Sequence, residues 1–200
     1  IAHLQNRVTV DDVLNSMVIA SPLKLYDCCP LTDGASALVL ASEEKVKELG
    51  VDMPVWVAGI GYSSGTANLS KRNSFVGLEA SVQASQKAFK AADVTPAQVD
   101  FAEVHDCFTI AELMAYEDLA FCKPGEGGSL IEKGETRLGG RVPVNTSGGL
   151  KAKGHPVGAT GTGQAYEIYL QLTGQAAKRQ VKDAEVGLTH NVGGSGATAT

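Results

Sequence analysis

Apolar residues along the chain switch between short unbroken runs and helical repeats. "SALVLAS" (36–42) is a continuous run suited to a buried strand, and "EEKVKELG" (43–50) reads as a helix closed by Gly50. "MPVWVAGIGYSSG" (53–65) enters at Pro54, continues as a β-branched strand and dissolves into glycine and serine. The next stretch, "SFVGLEASVQASQKAFKAADV", sets Leu78, Val82, Ser85 and Phe89 on one helical face with alanines beside them. Such a slim helix can pack closely on a sheet. In "TPAQVDFAEVHDCFTIAELMAYEDLAFC", Thr95 is an N-cap and Pro96 a first helical position. A strand follows through "VDFAEVH", then a helix from about Cys107 that repeats Phe108, Ala111, Ala115, Leu119 and Cys122 at helical spacing.

Residues 123–161 are glycine-rich and predict a long functional loop with little regular structure. "TGQAYEIYLQLTG" predicts a helix with Ala165, Ile168 and Leu172 inward, and "EVGLTHNVGGSGATAT" two strands about a turn at Gly193 and Gly194. No internal repeat is visible. Strands alternating with helices mean an α/β fold. A strand feeding straight into a helix places "HDC" at its carboxyl end, where open α/β sheets bind ligands.

Composition narrows the function classes. With 200 residues, 44% hydrophobic and 20% charged, the chain suits one large globular domain or one and a half. A net charge of −5 without clustered Lys or Arg argues against nucleic-acid binding. Runs such as "ALVLA" fall far short of the ~20 residues that span a bilayer, so no membrane segment is expected. Cys28, Cys29, Cys107 and Cys122 form no CxxC pair, which fits a reducing, cytoplasmic setting better than a zinc ribbon or a disulfide scaffold. "NLS" (68–70) and "NTS" (145–147) match the glycosylation sequon by chance on this reading. The start at Ile1 and the strand-like end "GGSGATAT" suggest a chain cut from something longer.

One stretch carries the chemistry. "GGLKAKGHPVGATG" (148–161) fixes His155 between glycine runs and before a proline, more organised than a generic turn. Preceded by "NTS", it resembles the histidine motif of thiolases. "LTDGASALVLAS" is similar to the segment closing the first half of those enzymes, and "HNVGG" to their closing glycine turn. The likeness covers nearly the whole chain: residues 1–48 resemble the tail of the first half with its last strand, and residues 53–200 the second half. It implies a layered α/β fold with a mixed five-stranded sheet and helices on both faces.

Three departures matter. His105, Asp106, Cys107 and Phe108 stand where most thiolases have Asn-Glu-Ala-Phe, as in the sterol-carrier-protein-x type. Asn191 stands where most have a catalytic cysteine. The family's nucleophilic cysteine belongs to the first half, and none of the four cysteines here has a matching context.

The resemblance implies acyl transfer on coenzyme A: a cysteine holds an acyl group while a second thioester is deprotonated at its α carbon, or the reverse. Fixed donors at the thioester oxygen lower such barriers, by roughly 3 to 4 kcal/mol for one oxyanion donor in a comparable case. His155 fits a donor or base, and His105 a second donor. Gly149, Gly154, Gly193 and Gly194, with Asn191, would frame the bound thioester. No cofactor beyond the coenzyme A substrate is implied. Partners would be acyl-CoA, the missing first half and, in the intact protein, further copies of itself.

Cys107 also has an argument of its own. Asp106 capping a helix that starts there would put the thiol in a first turn, where the dipole favours thiolate; otherwise it is a small buried hydrophobe. Asn191 divides evenly between orienting the loop and shaping a turn. His190 reads as packed, Cys28 and Cys29 as structural, Cys122 as core, and His3 has no role. A metal site from His105, Cys107 and His155 lacks a fourth ligand. Three functions stay open: the second domain of an acyltransferase, inactive alone; a non-catalytic acyl-CoA-binding scaffold; and a thiolase-like aldolase.

Overall fold

The computed structural model describes residues 2–200. Helix α1 (Val10–Leu14) opens with a capping box in which Thr9 Oγ1 accepts from Asp12 N and the Asp12 carboxylate accepts from Thr9 N. An antiparallel pair follows, β1 (Val18–Ala20) and β2 (Leu23–Lys24). Helix α2 (Glu43–Leu49) is capped by Ser42 and ends at Gly50, whose φ of 62° is the left-handed conformation glycine adopts freely.

The second part contains β3 (Ser63–Ser64), α3 (Glu79–Ala92), β4 (Phe101–Glu103), α4 (Thr109–Asp118), α5 (Gly127–Glu132), α6 (Gly149–Lys153), α7 (Thr160–Leu172), β5 (Gly187–Thr189), β6 (Val192–Gly193) and β7 (Thr198–Ala199). The expected α/β class is what the chain adopts. Its mixed pairing is distributed over short ladders: β4 runs parallel to β5, while β7 pairs antiparallel with both β3 and β6. A parallel bridge from Ala102 to Val144 extends the β4 ladder on its other edge.

Strand β4 is buried on both faces. Ala102 and Val104 join Ala115, Tyr116 and Leu119 of the α4 segment with Leu130, Val142 and Val144 in one cluster. Phe101 faces the opposite way, onto Ile168 and Val181. That two-sided core fixes where the chain leaves β4, and so where His105 lies.

Several expectations are corrected. Residues 36–42 form no strand, and the run from 53 contributes only β3. An apolar strand needs a neighbour for its N–H and C=O groups, and no ladder pairs these runs among the described residues. Val39 is 97% exposed, Leu40 80% and Val57 66%. One edge of the second run is covered: a Cβ on Gly61 would lie 1.8 Å from Ala84 O, so glycine lets α3 come close. The face α3 buries is accordingly Ala80, Ser81, Ala84 and Ser85, not the larger residues. Thr95 and Pro96 start a single 3-10 turn, Pro96–Gln98, closed by Gln98 Oε1 accepting from Thr95 N and Oγ1. The long loop contains two helices, α5 and α6. Of the closing strands only β6 and β7 form a hairpin, because β5 is taken by β4.

Candidate functional site

Strand β4 delivers His105, Asp106 and Cys107 to the edge of the helical layer. Asp106, 5% exposed, does not cap the helix that follows it. Helix α4 begins only at Thr109, with Phe108 as its N-cap residue. The Asp106 carboxylate turns instead to α6, accepting from Leu150 N at 2.7 Å and Lys151 N at 3.1 Å. Burial pushes its pKa up, and those N–H groups work against the rise.

The glycines of the histidine motif answer to this approach. Gly149 has φ 57°, and a Cβ there would meet Asp106 Oδ2 at 2.3 Å; Gly154 has φ 94°, and its Cβ would meet Thr32 at 2.6 Å. Beneath the loop, fully buried Glu103 accepts from Ser147 N at 3.1 Å and Ser147 Oγ at 2.5 Å, with Lys153 Nζ 3.5 Å away. Asn145, at φ 54°, accepts from Val104 N at 2.9 Å and donates to Glu112 at 2.8 Å, tying loop, strand and α4 together.

His155 comes to rest beside His105. The ring centroids are 4.9 Å apart and the planes meet at 86°. His155 Nδ1 lies 2.7 Å from Thr160 Oγ1, which also reaches Pro156 O at 3.2 Å. A Thr160 hydroxyl that gives its one proton to Pro156 O accepts from His155 Nδ1–H, the arrangement that leaves a lone pair on Nε2. Burial, then the charge of His105, lowers the His155 pKa, which favours the neutral ring. His105 Nδ1 lies 3.2 Å from Asn191 Oδ1.

Cys107 is half-buried, just ahead of α4 rather than in its first turn. The thiolate argument therefore fails: burial, then Cys29 and Asp106, push its pKa up. Cys29, read as structural, donates its backbone N–H to Cys107 O at 3.0 Å. Gly193 lies in β6, where a Cβ would meet Thr198 Oγ1 at 2.5 Å, and Gly194 (φ 58°) turns the hairpin in open space. His190 is 4% exposed and packs by Nε2 against Ser81 Oγ at 2.9 Å. Among the described residues no group of three or more His, Cys, Asp or Glu is placed to hold a metal.

Thus His105, His155 and Asn191 meet, with Asp106 and Gly149 clamping the loop behind them. Sequence reasoning missed Thr160, Asn145 and Gln164. The first two sit inside the quoted motif and were legible as hydrogen-bonding types. Gln164, whose Oε1 accepts from Asn191 Nδ2, carried no local signal. A cavity of about 660 Å³ lies elsewhere, between α3, the end of α4 and the 65–78 loop, and no residue of the histidine site lines it.

The sequence model of the family described as "Thiolase C-terminal domain-like" matches residues 61–200. The chain belongs to the thiolase superfamily. This thiolase C-terminal domain is 50% identical over 198 residues to an acetyl-CoA acetyltransferase of Methanothermobacter thermautotrophicus, covering 99% of the chain and 51% of that protein. It is 38% identical over 200 residues to sterol carrier protein 2 of Homo sapiens, covering 98% of the chain and 37% of that protein. Among solved structures it is similar to the Ltp2-ChsH2(DUF35) aldolase, with TM-score 0.82 and 26% identity over 96% of the chain and 50% of that one. The thiolase domain thus spans about half the length of the acetyltransferase it matches.

Proposed function

We propose that the chain is the C-terminal half of a thiolase-type acyltransferase, in which His155 is the base for an acyl-holding cysteine on a first half that the chain does not span. The observation that carries this is the imidazole pair. His155 is held by Thr160 with Nε2 free, 4.9 Å from His105 between ring centroids. Exposed Val39, Leu40, Trp56, Val57 and Ile60 support a large apolar partner.

In thiolysis the reacting cysteine gives its proton to His155 Nε2 and attacks the ketone carbon of a 3-ketoacyl-CoA. The carbon–carbon bond breaks, and the released enolate of acetyl-CoA takes a proton. Cys107, kept as a thiol by its raised pKa, is the group assigned to give that proton. Coenzyme A then gives up its thiol proton, which returns Cys107 to its thiol form, and takes the acyl group, while the departing cysteine recovers its proton from His155.

A second reading, the thiolase-like aldolase, is favoured by the structural neighbour named as an aldolase. It would cleave a hydroxyacyl-CoA without consuming coenzyme A. The test uses the longer protein that carries this chain behind its first half. Acyl transfer predicts consumption of free coenzyme A from acetoacetyl-CoA, lowered about 10²-fold or more by His155→Gln. Cleavage of a hydroxyacyl-CoA with coenzyme A untouched would favour the aldolase. Neither reaction would favour a scaffold.

A further inference from the structure

Behind His105 a relay of two amides ends inside helix α7. Asn191 Oδ1 faces His105 Nδ1 at 3.2 Å, and Asn191 Nδ2 donates to Gln164 Oε1. Gln164 is wholly buried at 0% exposure, on a helix whose other buried residues are Thr160, Glu167, Ile168, Leu170 and Gln171. Its Nε2 has no hydrogen-bond partner. A buried amide with an orphan end is costly, and Glu167 and Gln171 on the same helix have partners where Gln164 Nε2 has none. Asn191 cannot drift, since its N–H donates to Thr200 O at 2.9 Å and its carbonyl accepts from Thr200 N at 3.0 Å.

An amide has one accepting end and one donating end. Whichever end Asn191 gives to Gln164, the other faces His105. With its NH₂ group committed to Gln164 Oε1, Asn191 shows His105 a carbonyl, and a carbonyl requires a proton on Nδ1. We infer that Gln164 is a positioning residue which, through Asn191, holds neutral His105 in the Nδ1–H tautomer and leaves Nε2 as a proton acceptor.

This rests on and deepens the acyl-transfer reading. His155 and His105 then both offer an acceptor nitrogen, and thiolysis has two thiols to deprotonate, one on the enzyme and one on coenzyme A. A second imidazole acceptor is chemistry for the coenzyme A thiol, whereas a neutral Nδ1–H ring has no Nε2 proton to offer a thioester oxygen.

The tautomer is read directly by ¹⁵N-detected histidine NMR on the 200-residue chain near pH 8, with His105 assigned through His105→Gln. The expected pattern is a protonated Nδ1 and a lone-pair Nε2. In Gln164→Met, Asn191 loses its acceptor and can turn its NH₂ to His105, so the major species should become Nε2–H. Gln164→Glu keeps an oxygen acceptor and should retain the original pattern. If Gln164→Met does not fold, Gln164→Leu is read in the same way. A protonated Nε2 in the unsubstituted chain overturns the inference, as does an unchanged tautomer after loss of the acceptor. The measurement needs no turnover. An Nδ1–H ring in a longer protein lacking acyltransferase activity would therefore sink the acyl-transfer reading and leave the relay standing.

Discussion

The carboxylate of Asp106 holds the N–H groups of Leu150 and Lys151 at 2.7 and 3.1 Å, locking the end of β4 to the first turn of α6. Two motifs some 44 residues apart become one rigid unit, and the His105–His155 geometry follows from it. Removing the carboxylate orphans one buried donor, Leu150 N–H, and one part-buried donor, Lys151 N–H. Asp106→Ala should therefore lower stability by about 2 kcal/mol or more, measured by denaturant unfolding, while Asp106→Asn, which keeps an acceptor, should lose less. Equal stability of the alanine variant would contradict the clamp.

Gly149 tests the same contact from the other side. Gly149→Ala adds a Cβ that meets the Asp106 carboxylate at 2.3 Å with φ 57°, and should cost about 2 kcal/mol or more. Gly158→Ala, in the same loop, meets nothing within 4 Å and should change stability little. Thermal melts of the pair give the comparison, and similar losses in both would count against the packing described.

Cys107 should behave as an ordinary buried thiol. Its pKa is raised from 9.0, so alkylation by a small reagent should speed up about tenfold per pH unit from 7 to 9, as the thiolate fraction does, without levelling off. A plateau near neutrality would restore the activated thiolate.

His190 provides a pH signature. Burial, then the charge of His105, holds its pKa at about 4 against an ordinary 6.5. The folded value is depressed, so the unfolded chain takes the proton first. Stability tied to the neutral ring is complete above pH 6.5 and lost as pH falls toward 4. Gln in its place, whose amide reaches as far as Nε2, can still meet Ser81 and does not titrate. Relative to His190→Gln, the unsubstituted chain should lose on the order of 3 kcal/mol between pH 7 and 4. A pH-independent difference in denaturant midpoints would show that His190 titrates normally.

Much of this was legible in the sequence where a signal was local. Gly50, the strand into "HDC" and the helix containing Ile168 needed only neighbours along the chain. Long-range choices were not legible. Asp106 had an adjacent helix to cap and took a distant one, because α6 presented free N–H groups beside it. "SALVLAS" has the composition of a strand, but strand pairing belongs to two segments, and no partner lies among the described residues. Gln164 looked like any polar helix residue until its burial and its bond to Asn191 were seen.

On the proposed reading this chain supplies base chemistry to a nucleophile held elsewhere. Acetoacetyl-CoA thiolysis followed with the chain alone, with a separately produced first half alone, and with the two combined decides it. Neither piece should turn over by itself, and mixing should restore turnover, abolished by His155→Gln in this chain. Turnover by the chain alone, lost in Cys107→Ser, would contradict it, because the nucleophile would then lie within these 200 residues.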